Sequence, residues 1–259
     1  MNLVFSGSGV RYPIHIGAYT FIRGEAGIIP SAIAAQSGGS IVAAAIAHGR
    51  SPEGIWRAFR EYNVAKLIDW RPSSIGLIKG GKLLASFKRE FPLKMGDLKI
   101  PLYIGAVDAS TRRAVFFSSE HTPDVYTYDA VRASMSIPIV FHLHKIDGKY
   151  YMDGGVGNNL PLSIFSDSND TLGVRITSGS ESEGYDFNTS NPFKKMKNTL
   201  LSTVESLMDA TDNASNAGYK IISVKTNYRT VDFSVTTSDY DKMVYQGYSQ
   251  TEKQWTNMR

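Results

Sequence analysis

The chain reads as an α/β domain on a mostly parallel sheet, and three observations carry that prediction. The segment "NLVF" (residues 2–5) is a short unbroken apolar run ending in the glycine loop "SGSG", and "IHIGAYTFIRGEAG" then spaces Ile14, Ala18, Phe21 and Ile22 along one helix face. The pattern recurs: "SAIAA" (31–35) is a second strand candidate, Gln36–Gly39 a sharp turn, and residues 40–48 a nearly all-apolar helix that Gly49 ends. A buried strand leading directly into a buried helix is what crossover connections between parallel strands require. The third observation is bulk composition: 259 residues with 42% hydrophobic and 20% charged side chains suit a single domain spanning 1–259.

The remaining elements follow in order. "SPEGIWRAFREY" starts a helix with Ser51 as N-cap and Pro52 in its first position. "DWRPSSIGLIKGGKLLASFKREF" continues as helix and loop. "PLYIGAVDASTRRAVFFS" holds two strand-like runs around a polar turn, and "YDAVRASMSIPIVF" a helix stopped by Pro138. "KIDGKYYMDGG" is a hairpin around Asp147-Gly148. The last third reads as a strand "TLGVRI", a polar loop over 178–191, an amphipathic helix, a strand "YKIISVKT" and a final helix. In the amphipathic helix Phe193, Met196, Leu200, Val204 and Leu207 repeat at three and four, the spacing of a core-facing stripe.

Charge and composition exclude several functions. A net charge of +4, from 28 basic and 24 acidic residues, is too small an excess for a nucleic-acid binder without a clustered patch. The basic groups "KREF" (88–91) and "KKMK" (194–197) read as solvated helix faces. With no cysteine there are no disulfides, thiolate nucleophiles or Cys-ligated metals. The five histidines lack ligand spacing, so neither metal nor cofactor is expected. No signal-peptide pattern opens the sequence and no apolar run approaches a spanning helix, so the expectation is a cytoplasmic protein.

The chemistry-bearing residues fall in three places. Ser37 lies between a strand and a helix, followed by Gly38 and Gly39; a turn this tight leaves no room for bulky neighbours, and the helix aims its N-terminal amides at the hydroxyl. In a parallel sheet the loop "GSGVRYP" (7–13) emerges at the same edge, so amides of Gly7, Ser8, Gly9 and Val10, with that of Gly38, are placed to surround an oxyanion. The rival reading of that loop, a phosphate cradle, lacks the lysine and the third glycine it needs. In "YMDGGVGNNLPL" Asp153 precedes two glycines, which leaves a carboxylate uncrowded by backbone substituents; a β-turn is the simpler reading of that motif alone.

Taken together these segments resemble the patatin-like phospholipases over most of the first 165 residues. "LVFSGSGVRYPIHIGA" looks like that family's oxyanion loop and first helix, "AQSGGSIVAA" like its serine elbow, "ASMSIPIVF" like its Ser-Ile-Pro segment, and "YYMDGGVGNNLPL" like its aspartate motif. The resemblance implies a three-layer α/β/α sandwich around a mostly parallel sheet, and hydrolysis of fatty-acyl esters in phospholipid or lysophospholipid by a Ser–Asp dyad without histidine. By position Ser37 is then the nucleophile, Asp153 the base, and Gly7, Ser8, Gly9, Val10, Arg11 and Gly38 the oxyanion and substrate-binding region. An aspartate in this role needs burial to raise its basicity.

The sequence departs from the family pattern at Ser8 and Tyr12, where glycine is usual, at Ala35 in the elbow, and in "FHLH" (141–144), which lacks a proline after Phe141. Tyr12 and Pro13 are placed to narrow the entrance, and Arg11 to position the loop or meet an acidic head group. Three alternatives use the same chain: a triad with His142 or His144 and an acid such as Asp108, an acyltransferase sharing the dyad, and a non-catalytic lipid-binding module. A lipid substrate brings the protein to a membrane surface; residues 70–84 and the helix from 193 are the candidate contacts, with packing on the sheet as their competing role.

Overall fold

The structure is a computed structural model that describes residues 1–61, 64–73, 76–179, 187–211 and 218–258. In chain order its elements are β1 (Asn2–Phe5), α1 (Pro13–Gly24), β2 (Ile33–Gln36), α2 (Ser37–Ala47), α3 (Pro52–Arg60), α4 (Val64–Leu67), β3 (Trp70–Ser73), β4 (Gly76–Ile78) and α5 (Gly81–Glu90). There follow β5 (Leu102–Asp108), β6 (Ala114–Ser118), α6 (Thr127–Ser134), β7 (His144–Ile146), β8 (Lys149–Asp153), β9 (Thr171–Ser178), α7 (Pro192–Thr211), β10 (Lys220–Thr226) and α8 (Thr237–Met258).

The main sheet runs β10-β9-β1-β2-β5-β8-β7, with β6 on the other edge of β5. The pairings from β10 through β5 are parallel, and those of β5 with β6, β5 with β8 and β7 with β8 are antiparallel. Register aligns one residue per parallel strand into a row, Ile222–Val174–Phe5–Ala35–Ile104. All five are buried and belong to the large core that α1, α2, α5, α6 and α8 close over. On the opposite face Val4 and Ala34 meet Leu160 and Leu162 in a smaller cluster, so the sheet is flanked on both sides, as a three-layer sandwich demands, with outer layers of unequal depth.

Local signals explain most elements. Ser51 Oγ accepts the Gly54 amide at 3.1 Å, capping α3 behind Pro52. Asp147 and Gly148 both take positive φ, 46° and 83°, which the two-residue β7–β8 turn requires. Two segments differ from the sequence reading. Residues 70–73 and 76–78 form an antiparallel pair, β3 with β4, where helix and loop were expected; every β3 residue is exposed, so no alternation marks the strand. Helix α2 starts at Ser37, three residues before the expected start, because the turn is compressed into the Gln36–Ser37 junction.

In α7 Leu201 is buried and Leu207 is 44% exposed, so the expected stripe is not uniformly packed. The side chains of Phe193, Met196 and Val204, like most of "KKMK" and residues 180–186 of the polar loop, lie outside the described residues. Among the described residues no helix is long and apolar enough to cross a membrane.

Helices α1 and α8 touch backbone to backbone. A Cβ at Gly247 would overlap the Ile14 carbonyl, and one at Gly17 the Val244 carbonyl. Alanine favours a helix over glycine by about 1 kcal/mol, but overpacking costs about 1–3 kcal/mol, so Gly247→Ala is expected to lose roughly 1 kcal/mol of stability. Urea denaturation measures this; an unchanged or raised midpoint would mean that the two helices separate freely.

Candidate active site

The site is a consequence of how β5 is flanked. Strand β6 pairs with residues 103–107 of β5 on one edge, which leaves the other edge to two strands at once. There β2 pairs with the first half of β5, ending with Gln36 opposite Gly105, and β8 with the second half, ending with Asp153 opposite Ala106. Because β8 is antiparallel to β5 and β2 parallel, their C-terminal ends run toward each other and meet. The next residue after β2 is Ser37, and the last residue of β8 is Asp153. Their side chains bond directly, Ser37 Oγ donating to Asp153 Oδ2 at 2.6 Å.

Ser37 has φ of +45°, in the left-handed region that a residue with a side chain seldom occupies. Several contacts hold it there. Its amide donates to Ser134 Oγ at 2.7 Å, and its carbonyl accepts from Ser40 Oγ at 2.5 Å. Gly38 lies against the first loop so closely that a Cβ there would overlap Gly9 and Ser8 Oγ. Ala35, in place of the usual elbow glycine, is accommodated because its Cβ belongs to the buried row of the sheet.

Asp153 is fully buried, and its other oxygen, Oδ1, accepts the Gly155 amide at 2.7 Å. Burial pushes its carboxyl up to about 7, against the lowering effect of the Ser37 and Gly155 hydrogen bonds. Its own amide donates to the Ser136 carbonyl at 3.0 Å. Ser134 and Ser136 therefore grip both partners from one short segment at the end of α6. Arg132, 2% exposed, braces that segment: Nη1 donates to Ser136 Oγ at 2.7 Å, and its remaining donors reach the carbonyls of Lys79, Gly80 and His142. Burial lowers the Arg132 guanidinium to about 10, so it stays charged at neutral pH.

The amides of the first loop and of Gly38, at the start of α2, fall into two sets. Those of Gly7, Val10 and Arg11 donate to the carbonyls of Asn159, Thr230 and Ser8, each at 3.0 Å. Those of Ser8, Gly9 and Gly38 have no partner among the described residues. Of the six residues expected around an oxyanion, Gly9 and Val10 border a cavity together with Ser37, Gly7 lies against the Ser37 side chain and Ser8 against Gly38, while the amides of Gly7, Val10 and Arg11 fasten the loop. Arg11 does not reach a head group: its side chain is 3% exposed and Nε donates to the Ser8 carbonyl at 3.3 Å.

An apolar cavity of about 60 Å³ borders Ser37, walled by Tyr12, Ile41, Phe59, Phe87, Phe141 and Phe233 among others. Tyr12 is a buried part of this wall, edge-on to Phe59 and Tyr240, and so narrows the interior. The histidines of the alternative triad are engaged elsewhere. His144 Nε2 lies 2.7 Å from Asp129, His142 Nε2 2.9 Å from the Arg71 carbonyl, and Asp108 accepts from Ser110 and Thr111 in a turn. His15 is buried against the Ser6 carbonyl and is held neutral by burial, down to about 3.

Reading the sequence assigned no role to Ser134, Ser136, Arg132 or Thr230. The first two stand in the Ser-Ile-Pro segment, where a pair of serines two residues apart was the available signal; nothing local marks Arg132 or Thr230.

A family model described as patatin-like phospholipase matches residues 3–166. An uncharacterised NTE-family protein of Mycobacterium tuberculosis is 29% identical over 183 residues, covering 69% of this chain and 49% of that protein. The chain thus spans about half the length of its mycobacterial relatives. YqhO of Bacillus subtilis, also uncharacterised, is 29% identical with 98% of both chains covered. A probable lipid hydrolase of Invertebrate iridescent virus 6 is 27% identical, covering 63% of this chain and 62% of its own. Among solved structures, VipD from Legionella pneumophila superposes with a TM-score of 0.71 at 15% identity, over 97% of this chain and 66% of VipD. ExoU, solved with SpcU from Pseudomonas aeruginosa, gives 0.52 at 16% identity, over 99% and 51%. At such identities these two share the fold alone. The family match extends from the first strand through the glycine loop, the elbow and the aspartate motif, and the chain belongs to the patatin-like phospholipase family.

Proposed function

We propose that this chain is a serine lipid acyl hydrolase acting on phospholipid or lysophospholipid through Ser37 and Asp153. The observation that carries this reading is the 2.6 Å hydrogen bond from the Ser37 hydroxyl to a fully buried carboxylate. Ser37 Oγ attacks the ester carbonyl carbon while its proton passes to Asp153. The oxyanion takes hydrogen bonds from the uncommitted amides of Ser8, Gly9 and Gly38, each donor contributing on the order of 3 kcal/mol. When the ester C–O bond breaks, Asp153 returns the proton to the leaving alcohol, and water cleaves the acyl-enzyme with Asp153 again as base. The apolar cavity beside Ser37 suits the acyl chain; at about 60 Å³ it is well under the ~300 Å³ of ordinary ligand pockets, so a long chain must part its walls. The iridescent-virus relative, described as a probable lipid hydrolase, supports the same class.

The cavity rim suits a lipid aggregate. Leu67, Ile68, Met135 and Phe233 line the cavity and are partly exposed. Trp70, 59% exposed, follows Ile68 by two residues, and Ile139, 44% exposed, stands between the lining residues Ile137 and Phe141. Lys66, Arg71, Lys79 and Lys82 are exposed around them, while the one carboxylate between Lys66 and Lys82 in the described chain, Asp69, is occupied by the amides of Gly80, Gly81 and Lys82. Exposed aromatic and aliphatic groups with exposed cations near them in the chain favour an anionic surface.

Four outcomes are expected. In a panel of phospholipids and lysophospholipids, Ser37→Ala and Asp153→Asn release fatty acid at least 100-fold more slowly than the wild type; equal release by all three proteins would end the proposal. The acid limb of kcat/KM falls near pH 7, because Asp153 must be ionised to accept a proton. A carboxyl raised from 3.8 to about 7 favours the folded state only while protonated, so its contribution is lost as pH rises from about 4 through 7. Asp153→Asn should therefore melt higher than the wild type at pH 8 and gain much less at pH 4.5; an equal gain at both would contradict the assignment. Finally, Trp70→Ala should weaken co-sedimentation with phosphatidylglycerol vesicles several-fold while leaving hydrolysis of p-nitrophenyl butyrate intact; unchanged sedimentation would remove this rim from the membrane contact.

A further inference from the structure

Ser8 stands where the family pattern has glycine, and its side chain rather than its backbone is the anomaly. The residue is fully buried, and its Oγ has no hydrogen-bond partner among the described residues. Buried hydroxyls are seldom left so, and an exception in a native protein calls for a reason. The location supplies one. Ser8 Oγ lies against Gly38, where a Cβ would overlap it together with the carbonyl oxygen and amide nitrogen of Gly9. It therefore packs on the backbone of Gly9 and Gly38, whose amides, like that of Ser8, have no partner among the described residues. Four hydrogen-bond donors without an acceptor among the described residues thus belong to residues packed next to Ser37. The loop that carries Ser8 is held in place independently of that hydroxyl, by the Gly7, Val10 and Arg11 amides and by the Arg11 side chain.

We propose that the Ser8 hydroxyl is a fourth oxyanion donor, a side-chain supplement to the backbone amides. This inference rests on the hydrolase reading above. As the acyl carbonyl becomes tetrahedral its oxygen gains negative charge, and the Ser8 O–H rotates to donate to it. No proton is transferred, and the bond relaxes when the carbonyl re-forms. A hydrogen bond to a charged oxygen is about twice as strong as one to a neutral carbonyl, so the hydroxyl acts on the transition state more than on bound substrate. Here Ser8 is a catalytic residue in the strict sense, touching the reacting atoms.

The test uses p-nitrophenyl butyrate, a soluble ester that needs no lipid surface, with Ser8→Ala, Ser8→Gly and Ser8→Thr beside the wild type and Ser37→Ala. Ser8→Ala and Ser8→Gly are expected to lower kcat by roughly 10- to 100-fold at little-changed KM, the size of a lost oxyanion donor. Their melting temperatures should be equal to or above the wild type's, since an unpartnered buried hydroxyl has been removed. Ser8→Thr, which keeps the hydroxyl, should retain more kcat than Ser8→Ala. Wild-type kcat in both Ser8→Ala and Ser8→Gly would overturn the proposal, as would loss of folding in both, which would make the hydroxyl a structural group. Failure of the underlying reading is recognised separately: Ser37→Ala would then hydrolyse the ester as fast as the wild type.

Discussion

The organisation of this protein turns on two strands that share one edge of a third. The C-terminal end of an antiparallel strand ordinarily lies at the far side of a sheet from the C-terminal ends of its parallel neighbours. Here β2 occupies only the first half of the β5 edge and β8 only the second, so the tip of β8 stops in mid-sheet against the tip of β2. Backbone pairing thereby sets the Ser37 to Asp153 separation, with no flexible loop involved in bringing the groups together. Side chains at the ends of paired strands are held more precisely than side chains on loops, which is what a proton transfer over one hydrogen bond demands.

That arrangement has a thermodynamic cost, borne by the surrounding core. A carboxyl lifted from 3.8 to about 7 represents some 4 kcal/mol of disfavoured ionisation at high pH, from about 1.4 kcal/mol per unit. To this is added the left-handed backbone of Ser37, of order 1–3 kcal/mol. Both are sustained by rigid neighbours. The buried row across the five parallel strands fixes the sheet beneath the site, and the pair Ser134 and Ser136, braced by the buried Arg132, fixes Ser37 and Asp153 relative to each other. The same burial that weakens the fold raises the affinity of the Asp153 carboxylate for a proton, the property that the proposed role of base requires.

The first loop shows a second economy. Its donors separate into those that fasten it, at Gly7, Val10 and Arg11, and those at Ser8 and Gly9 that, like the neighbouring Gly38 amide of α2, have no partner among the described residues. Thr230 serves both sides, accepting the Val10 amide and lining the cavity, so the segment between β10 and α8 joins the shape of the apolar wall to the position of the loop. Part of the wall of the proposed acyl site and the fastening of the proposed oxyanion site are therefore not independent.

Short apolar runs that each lead into an apolar helix made the parallel sheet legible in the sequence, and small residues around Ser37 and after Asp153 marked where backbone would pass close. Those are local properties: a strand needs a run of apolar residues, and a tight turn needs missing side chains, whatever lies elsewhere. The β3–β4 pair was not legible, because four exposed residues bear no trace of burial. Nor was the division of the loop's amides, the bracing by Arg132 or the partners of Ser134 and Ser136, since each depends on an acceptor or donor far along the chain. The sequence by itself determined which groups were available for chemistry. Only the tertiary structure decided which of them meet, because that follows from strand register and from which buried donors are left without an acceptor, and neither quantity exists until distant segments are packed.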